Sequence, residues 1–135
     1  MGLNKYTNGM DAENQNIEYK ESWHDEYLKW ICGFANAHGG TLYIGIDDKG
    51  NIVGVKNAKK LMEDIPNKVR DTMGIIVDID LAHTDGKDVV VITVPFHEYP
   101  VNYRGEYHYR SGSTKQLLQG TALTRFLLKK TGKTW

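Results

Sequence analysis

Tyr27, Trp30, Ile31, Phe34, Ala35 and His38 recur at the i, i+3, i+4, i+7 spacing of a helix with one buried face. The spacing predicts a helix from about His24 to His38, N-capped by Ser22, with Asp25 and Glu26 in its first turn. Gly39 ends it, where a positive φ costs least. Just upstream, Ile17-Glu18-Tyr19-Lys20 alternates and predicts a short strand. Ile17 and Tyr19 would face the core, with Glu18 and Lys20 on the other side. Just downstream, Thr41 to Ile46 is a largely apolar run, the pattern of a central strand covered on both faces. Asp47-Asp48-Lys49-Gly50 then reads as a hairpin turn into a return strand, Asn51 to Val55.

A second helical rhythm runs through Ala58, Leu61, Met62, Ile65, Val69 and Met73, with Pro66 predicting a kink or a split into two helices. Ile75 to Ala82 and Asp88 to Val94 predict a hairpin around Thr84-Asp85-Gly86-Lys87. Val101 to Arg104 and Glu106 to Arg110 predict another around Gly105. In its second arm Tyr107 and Tyr109 share one face, and His108 and Arg110 the other. Ser111 to Lys115 reads as a loop, and a last helix runs from about Thr121 to Lys130, stopped by Gly132. The predicted order is β-α-β-β-α-β-β-β-β-α, an α+β domain with a mixed sheet and about three helices. Residues 1–16 read as a lead-in, 17–131 as a single domain and 132–135 as a tail.

Composition narrows the class. The chain has 135 residues, which suits one core, and a single cysteine, Cys32, which excludes an intrachain disulfide. No apolar run is long enough for a bilayer, and Met1 to Gln15 lacks a signal-peptide core, so the expectation is a cytoplasmic protein with no membrane partner. Net charge is zero but unevenly spread. From His97 onward there are 7 basic and 2 acidic residues, or +5; the first 96 carry 10 basic and 15 acidic, or −5. A basic end on a neutral chain offers a local anion-binding surface or, equally simply, the solvated face of a helix.

The ordered motifs Ile17-Glu18-Tyr19-Lys20, Phe34-Ala35-Asn36-Ala37-His38-Gly39-Gly40, Ile44-Gly45-Ile46-Asp47-Asp48-Lys49-Gly50 and Val53-Gly54-Val55 resemble the Schlafen AlbA-2 domain. Val91-Ile92-Thr93-Val94-Pro95, Pro100-Val101, Tyr107-His108-Tyr109-Arg110-Ser111-Gly112-Ser113 and Lys115-Gln116-Leu117 extend the resemblance from about Asp11 to about Lys130. It implies an AlbA-like fold and a nucleic-acid-binding, DNA-binding regulatory role such as transcriptional regulation. It also implies a longer parent protein with a C-terminal ATPase-like or winged-helix segment, which the abrupt end at Trp135 suits, and it leaves a homodimer open. In vertebrate Schlafen proteins, paired lobes form a metal-dependent ribonuclease with three carboxylates. The positions matching those carboxylates here are Glu13, Glu18 and Asp48, with Mg²⁺ or Mn²⁺ as the implied cofactor.

The residues themselves weigh both ways. Hard divalent ions take carboxylate oxygens, and Lys20 on the Glu18 face could hold a phosphate beside one. A spacing of five puts Glu13 and Glu18 on one face of neither a helix nor a strand, so the chain must turn between them. Asp47 and Asp48 point different ways, and aspartate in such a turn often just binds backbone N–H groups. Arg110, with His108 and Lys115, is the best phosphate contact, its alternative being a salt bridge to an acidic residue. Trp23 and Trp30 read as packing groups. The sequence Gly132-Lys133-Thr134 is no Walker A site, because Leu127 stands where that motif needs glycine. The leading expectation is a module binding DNA or RNA phosphates through Lys20, Arg104, His108, Arg110 and Lys115. Its rivals are the ribonuclease and a protein-interaction or nucleotide-sensing lobe.

Overall fold

The computed structural model describes residues 16–132. Strands β1 (Ile17–Lys20), β2 (Gly40–Ile44), β3 (Asp78–Thr84) and β4 (Lys87–Val94) form one sheet in the order β1-β2-β4-β3. β1 runs parallel to β2, and the other neighbours are antiparallel. A parallel pair needs a crossover, supplied by α1 (Leu28–Asn36). α2 (Ala58–Met73) follows β2, and β5 (His108–Ser111) pairs with β6 (Thr114–Leu117) as a separate hairpin before α3 (Gly120–Thr131). The α+β class with a mixed sheet is as the sequence predicts. No helix among the described residues is long and apolar enough to cross a membrane.

Strand alternation splits the core. Leu42, Ile44, Val90, Ile92 and Val94 pack beneath Leu28, Ile31 and Phe34 of α1 and Leu61, Ile65 and Val69 of α2. On the opposite face Ile17, Tyr19, Tyr43, Ile46, Val89 and Val91 form a second cluster. β2 is therefore buried on both sides, as its apolar run requires. Glu18 is in register with Leu42 and shares the face covered by α1, so its side is as buried as the tyrosine side.

Several predicted features differ. The return strand over 51–55 reduces to one bridge, Ile46 to Ile52, because Val53 and Gly54 both donate to Gly45 O and fold the chain back at once. Likewise Tyr103 and Glu106 form only a bridge, and β5 pairs with the segment read as a loop. Ser22 caps nothing; His24 precedes a short 3₁₀ turn, Asp25–Tyr27, that leads into α1. Pro66 lies inside one continuous helix, whose packing on the sheet outweighs the missing backbone bond.

The Gly39-Gly40 stop is enforced by space as well as by φ. Gly39 has φ +75°, and a Cβ on Gly40 would lie 2.3 Å from the Phe34 ring. Gly33 matters more for function. A Cβ there would stand 3.3 Å from Arg110 N, so this glycine lets β5 lie directly on α1.

Candidate functional site

The β5 residues alternate across the hairpin. Tyr107 and Tyr109 turn to α3, where each ring meets Phe126 at about 6 Å. His108 and Arg110 turn to α1 and are 2% and 3% exposed. A buried guanidinium must be fully bonded. Arg110 Nη1 donates to Glu18 Oε1 at 2.5 Å, Nη2 to Ile17 O at 2.8 Å and Nε to Gly112 O at 3.0 Å. Its plane lies 5.0 Å from the ring centroids of both Trp30 and Phe34. Glu18 Oε2 takes Lys20 Nζ at 3.2 Å.

Trp30 is the hub of what remains exposed. Lys20 Nζ lies 4.8 Å from its ring and 4.8 Å from that of Tyr27, and Lys115 Nζ lies 5.9 Å from Trp30. Lys115 comes from β6, opposite Arg110 in register. It has no carboxylate within ion-pair distance among the described residues. Burial and then the neighbouring Lys29 push its ammonium pKa down. The arrangement gathers Lys20, Lys29 and Lys115 around an aromatic plate, over a buried Arg110–Glu18 pair.

Asn36 holds this layer together. Its Nδ2 donates to Val101 O at 2.7 Å and to His108 O at 2.8 Å, while Oδ1 accepts from Val101 N at 2.8 Å. Beside it Cys32 Sγ donates to Val101 O at 3.3 Å, and burial pushes its thiol up to about 11. His108 Nε2 meets Glu106 Oε1 at 3.0 Å, whereas its Nδ1 is buried with no partner among the described residues. Burial lowers the His108 pKa despite Glu106.

Of the residues the sequence offered for phosphate, the structure brings together Lys20 and Lys115. His108 and Arg110 lie beneath that surface instead, because Gly33 lets their strand sink onto α1. Arg104 stands apart at the exposed tip of the Tyr103–Glu106 turn, over the Tyr103 ring. Sequence reasoning missed Lys29; its only signal was a lysine next to Trp30 on the first turn of α1. Of the three carboxylates, Glu13 lies outside the described residues. Asp48 is exposed beyond the Ile46–Ile52 bridge, while Glu18 is level with Leu42, roughly 13 Å of strand away from Ile46. Asp47 takes backbone N–H groups of Lys49 and Asn51 at 2.9 and 2.8 Å, and these bonds, that of Asn51 foremost, lower its pKa. No group of three His, Cys, Asp or Glu side chains suited to a metal occurs among the described residues, and both Glu18 oxygens are engaged by cations. Glu18 and Asp48 do not by themselves make a site for a hard divalent ion.

The sequence profile of the family described as Schlafen, AlbA_2 matches residues 13–119. No curated protein matches the chain in sequence. Among solved structures, the DIP2311 protein of Corynebacterium diphtheriae superposes with a TM-score of 0.66 at 19% identity, over 77% of this chain. This chain spans only 22% of that protein. The N-terminal domain of a RecG-related protein of Nitrosomonas europaea, named for ATP-dependent DNA helicases, gives 0.60 at 22% identity, covering 88% of this chain and 93% of that one.

Proposed function

This chain belongs to the Schlafen AlbA_2 family, and from that premise we propose that it is a nucleic-acid-binding module that grips phosphates through Lys20, Lys29 and Lys115. One observation carries the reading: Lys115 is a half-buried ammonium beside a second lysine and, among the described residues, without a carboxylate partner. Such a group gains from an incoming anion, which neutralises it and restores what burial took from Lys115. The helicase-related name of one fold neighbour agrees with a nucleic-acid partner. Phosphate contacts of this kind carry no sequence information, so binding is expected to be tolerant of sequence and steeply weakened by salt.

The buried pair has a supporting role here. Glu18 neutralises Arg110 and steadies Lys20, which positions β5 and β6 and hence Lys115. That use of Glu18 is why we favour binding over the three-carboxylate nuclease. The test is a gel-shift series with DNA and RNA across salt concentrations. Lys115→Ala and Lys29→Ala should each weaken binding on all sequences and reduce the salt slope by about one. Absence of any shift at low salt would sink the reading. Mg²⁺- or Mn²⁺-dependent RNA cleavage, lost in Asp48→Asn, would replace it with the nuclease.

A further inference from the structure

α3 is held to the body of the protein mainly through Phe126, its one buried side chain. Between α3, the end of α1 and the segment after β4 lies an open groove of about 950 Å³. Its surface is mostly apolar, and two of its groups are unusually bare. Phe96 is 55% exposed and Leu128 45%. Tyr109 and Phe126 continue the aromatic floor. Lys130 Nζ donates to His97 O and lies 4.1 Å from the Phe96 ring centroid, so it ties the Phe96 segment to α3.

The rim is mainly cationic. Arg125 and Lys129 stand one turn apart on α3, both exposed and both lining the groove. Neither has a carboxylate within ion-pair distance among the described residues, and Glu98 is the only acidic group on the lining. An exposed aromatic face flanked by unpaired cations matches a ligand that alternates flat rings and negative charges. Single-stranded nucleic acid is that ligand, since its bases stack on aromatic rings while its phosphates pair with cations. A duplex offers the charges but hides its base faces in its own stack, so it cannot use Phe96.

We propose that this groove is a single-strand site, with an unpaired base on Phe96 and backbone phosphates on Arg125 and Lys129. The inference rests on the nucleic-acid reading above and adds strandedness to it. It assigns α3 a ligand role separate from the Lys115 cluster.

The experiment compares binding of fluorescent oligo-dT and of a duplex of equal length to the full chain. Wild type should prefer oligo-dT. Phe96→Ala should weaken oligo-dT binding about ten-fold and leave duplex binding unchanged, with Phe96→Trp restoring the preference. Arg125→Ala with Lys129→Ala should reduce the single-strand salt slope by about 1.4. NMR shifts of the Phe96 and Tyr109 rings should follow oligo-dT and not heparin, a polyanion without bases. Equal shifts from heparin, or duplex binding as tight as oligo-dT with Phe96→Ala silent on both, overturn the site while Lys115-dependent binding stands. Ring shifts from an acidic, leucine-containing peptide and none from oligo-dT give the groove to a protein partner, and also overturn it. Failure of wild type to bind either probe at low salt overturns both readings.

Discussion

Arg110 Nη1 lies 2.5 Å from Glu18 Oε1, joining β5 to the edge strand β1 across 92 residues of sequence. Both side chains are almost wholly enclosed, at 1% and 5% exposure. Removing one partner leaves the other charge buried without compensation, which typically costs about 3–5 kcal/mol. Arg110→Ala should destabilise by that order in urea denaturation, and Glu18→Gln by less, since the amide keeps a hydrogen bond to the guanidinium. The pair Glu18→Leu with Arg110→Met should be milder than the sum of the two single changes, because no orphan charge remains. Strict additivity would mean that the two groups do not act as a unit.

Asn36 makes three bonds to backbone groups of Val101 and His108 from a position 1% exposed. Asn36→Leu removes the side-chain partner of His108 O and Val101 N and leaves Val101 O with only the weak Cys32 thiol donor, each orphaned group costing about 1–3 kcal/mol. A loss of about 3 kcal/mol or more is expected in chemical denaturation. Asn36→Asp is the more telling variant. An ionised carboxylate would face the carbonyls of Val101 and His108, so this variant should regain stability as pH falls and its side chain becomes a donor. A pH-independent loss would show that volume, and not hydrogen bonding, sets this residue.

Much of the frame was legible because burial leaves a period. The rhythm from Tyr27 to His38 and the apolar run of β2 gave α1, the glycine stop and the central strand. β6 was not legible, since Thr114-Lys115-Gln116-Leu117 is a mostly exposed strand with no apolar alternation. Its one signal was Gly112 followed by Ser113, a two-residue hairpin loop with φ +60° at the glycine. The site was half legible for a related reason. An arginine reads the same whether it meets solvent or a buried carboxylate. What decides for Arg110 is the approach of β5 to Gly33, a contact between residues far apart in sequence. The salt-bridge alternative for Arg110 is the one found, whereas Asp48 and Glu18 share no period that would have shown their separation.

Cys32 should be inert in the native protein. Its thiol is fully enclosed, bonded to Val101 O, and pushed up to about 11. Iodoacetamide at mildly alkaline pH should modify it only as fast as the protein opens, and at once in urea. The folded pKa lies above the unfolded value of 9.0. The stabilising contribution is therefore complete below 9.0 and is lost as pH rises towards about 11. The slope across that window is up to about 1.4 kcal/mol per pH unit. Cys32→Ala should flatten it, and an unchanged alkaline slope would assign it to other groups.

His108 sets the opposite edge. Burial is the main cause of its lowered pKa, with the Glu106 hydrogen bond opposing it. Protonation would place a second ring N–H at Nδ1, which has no acceptor among the described residues. The unfolded chain therefore binds the proton more readily. Stability from His108 is complete above its unfolded pKa of 6.5 and is lost as pH falls through the lower folded value. Glu106, also lowered through its bond to His108, acts only below its own ordinary 4.5, so the two windows separate. Urea midpoints should fall as the pH drops below about 6.5 in the native chain. In His108→Phe the overall stability should drop through the lost Glu106 contact, while that slope disappears. A slope that survives the substitution would place the acid sensitivity elsewhere in the fold.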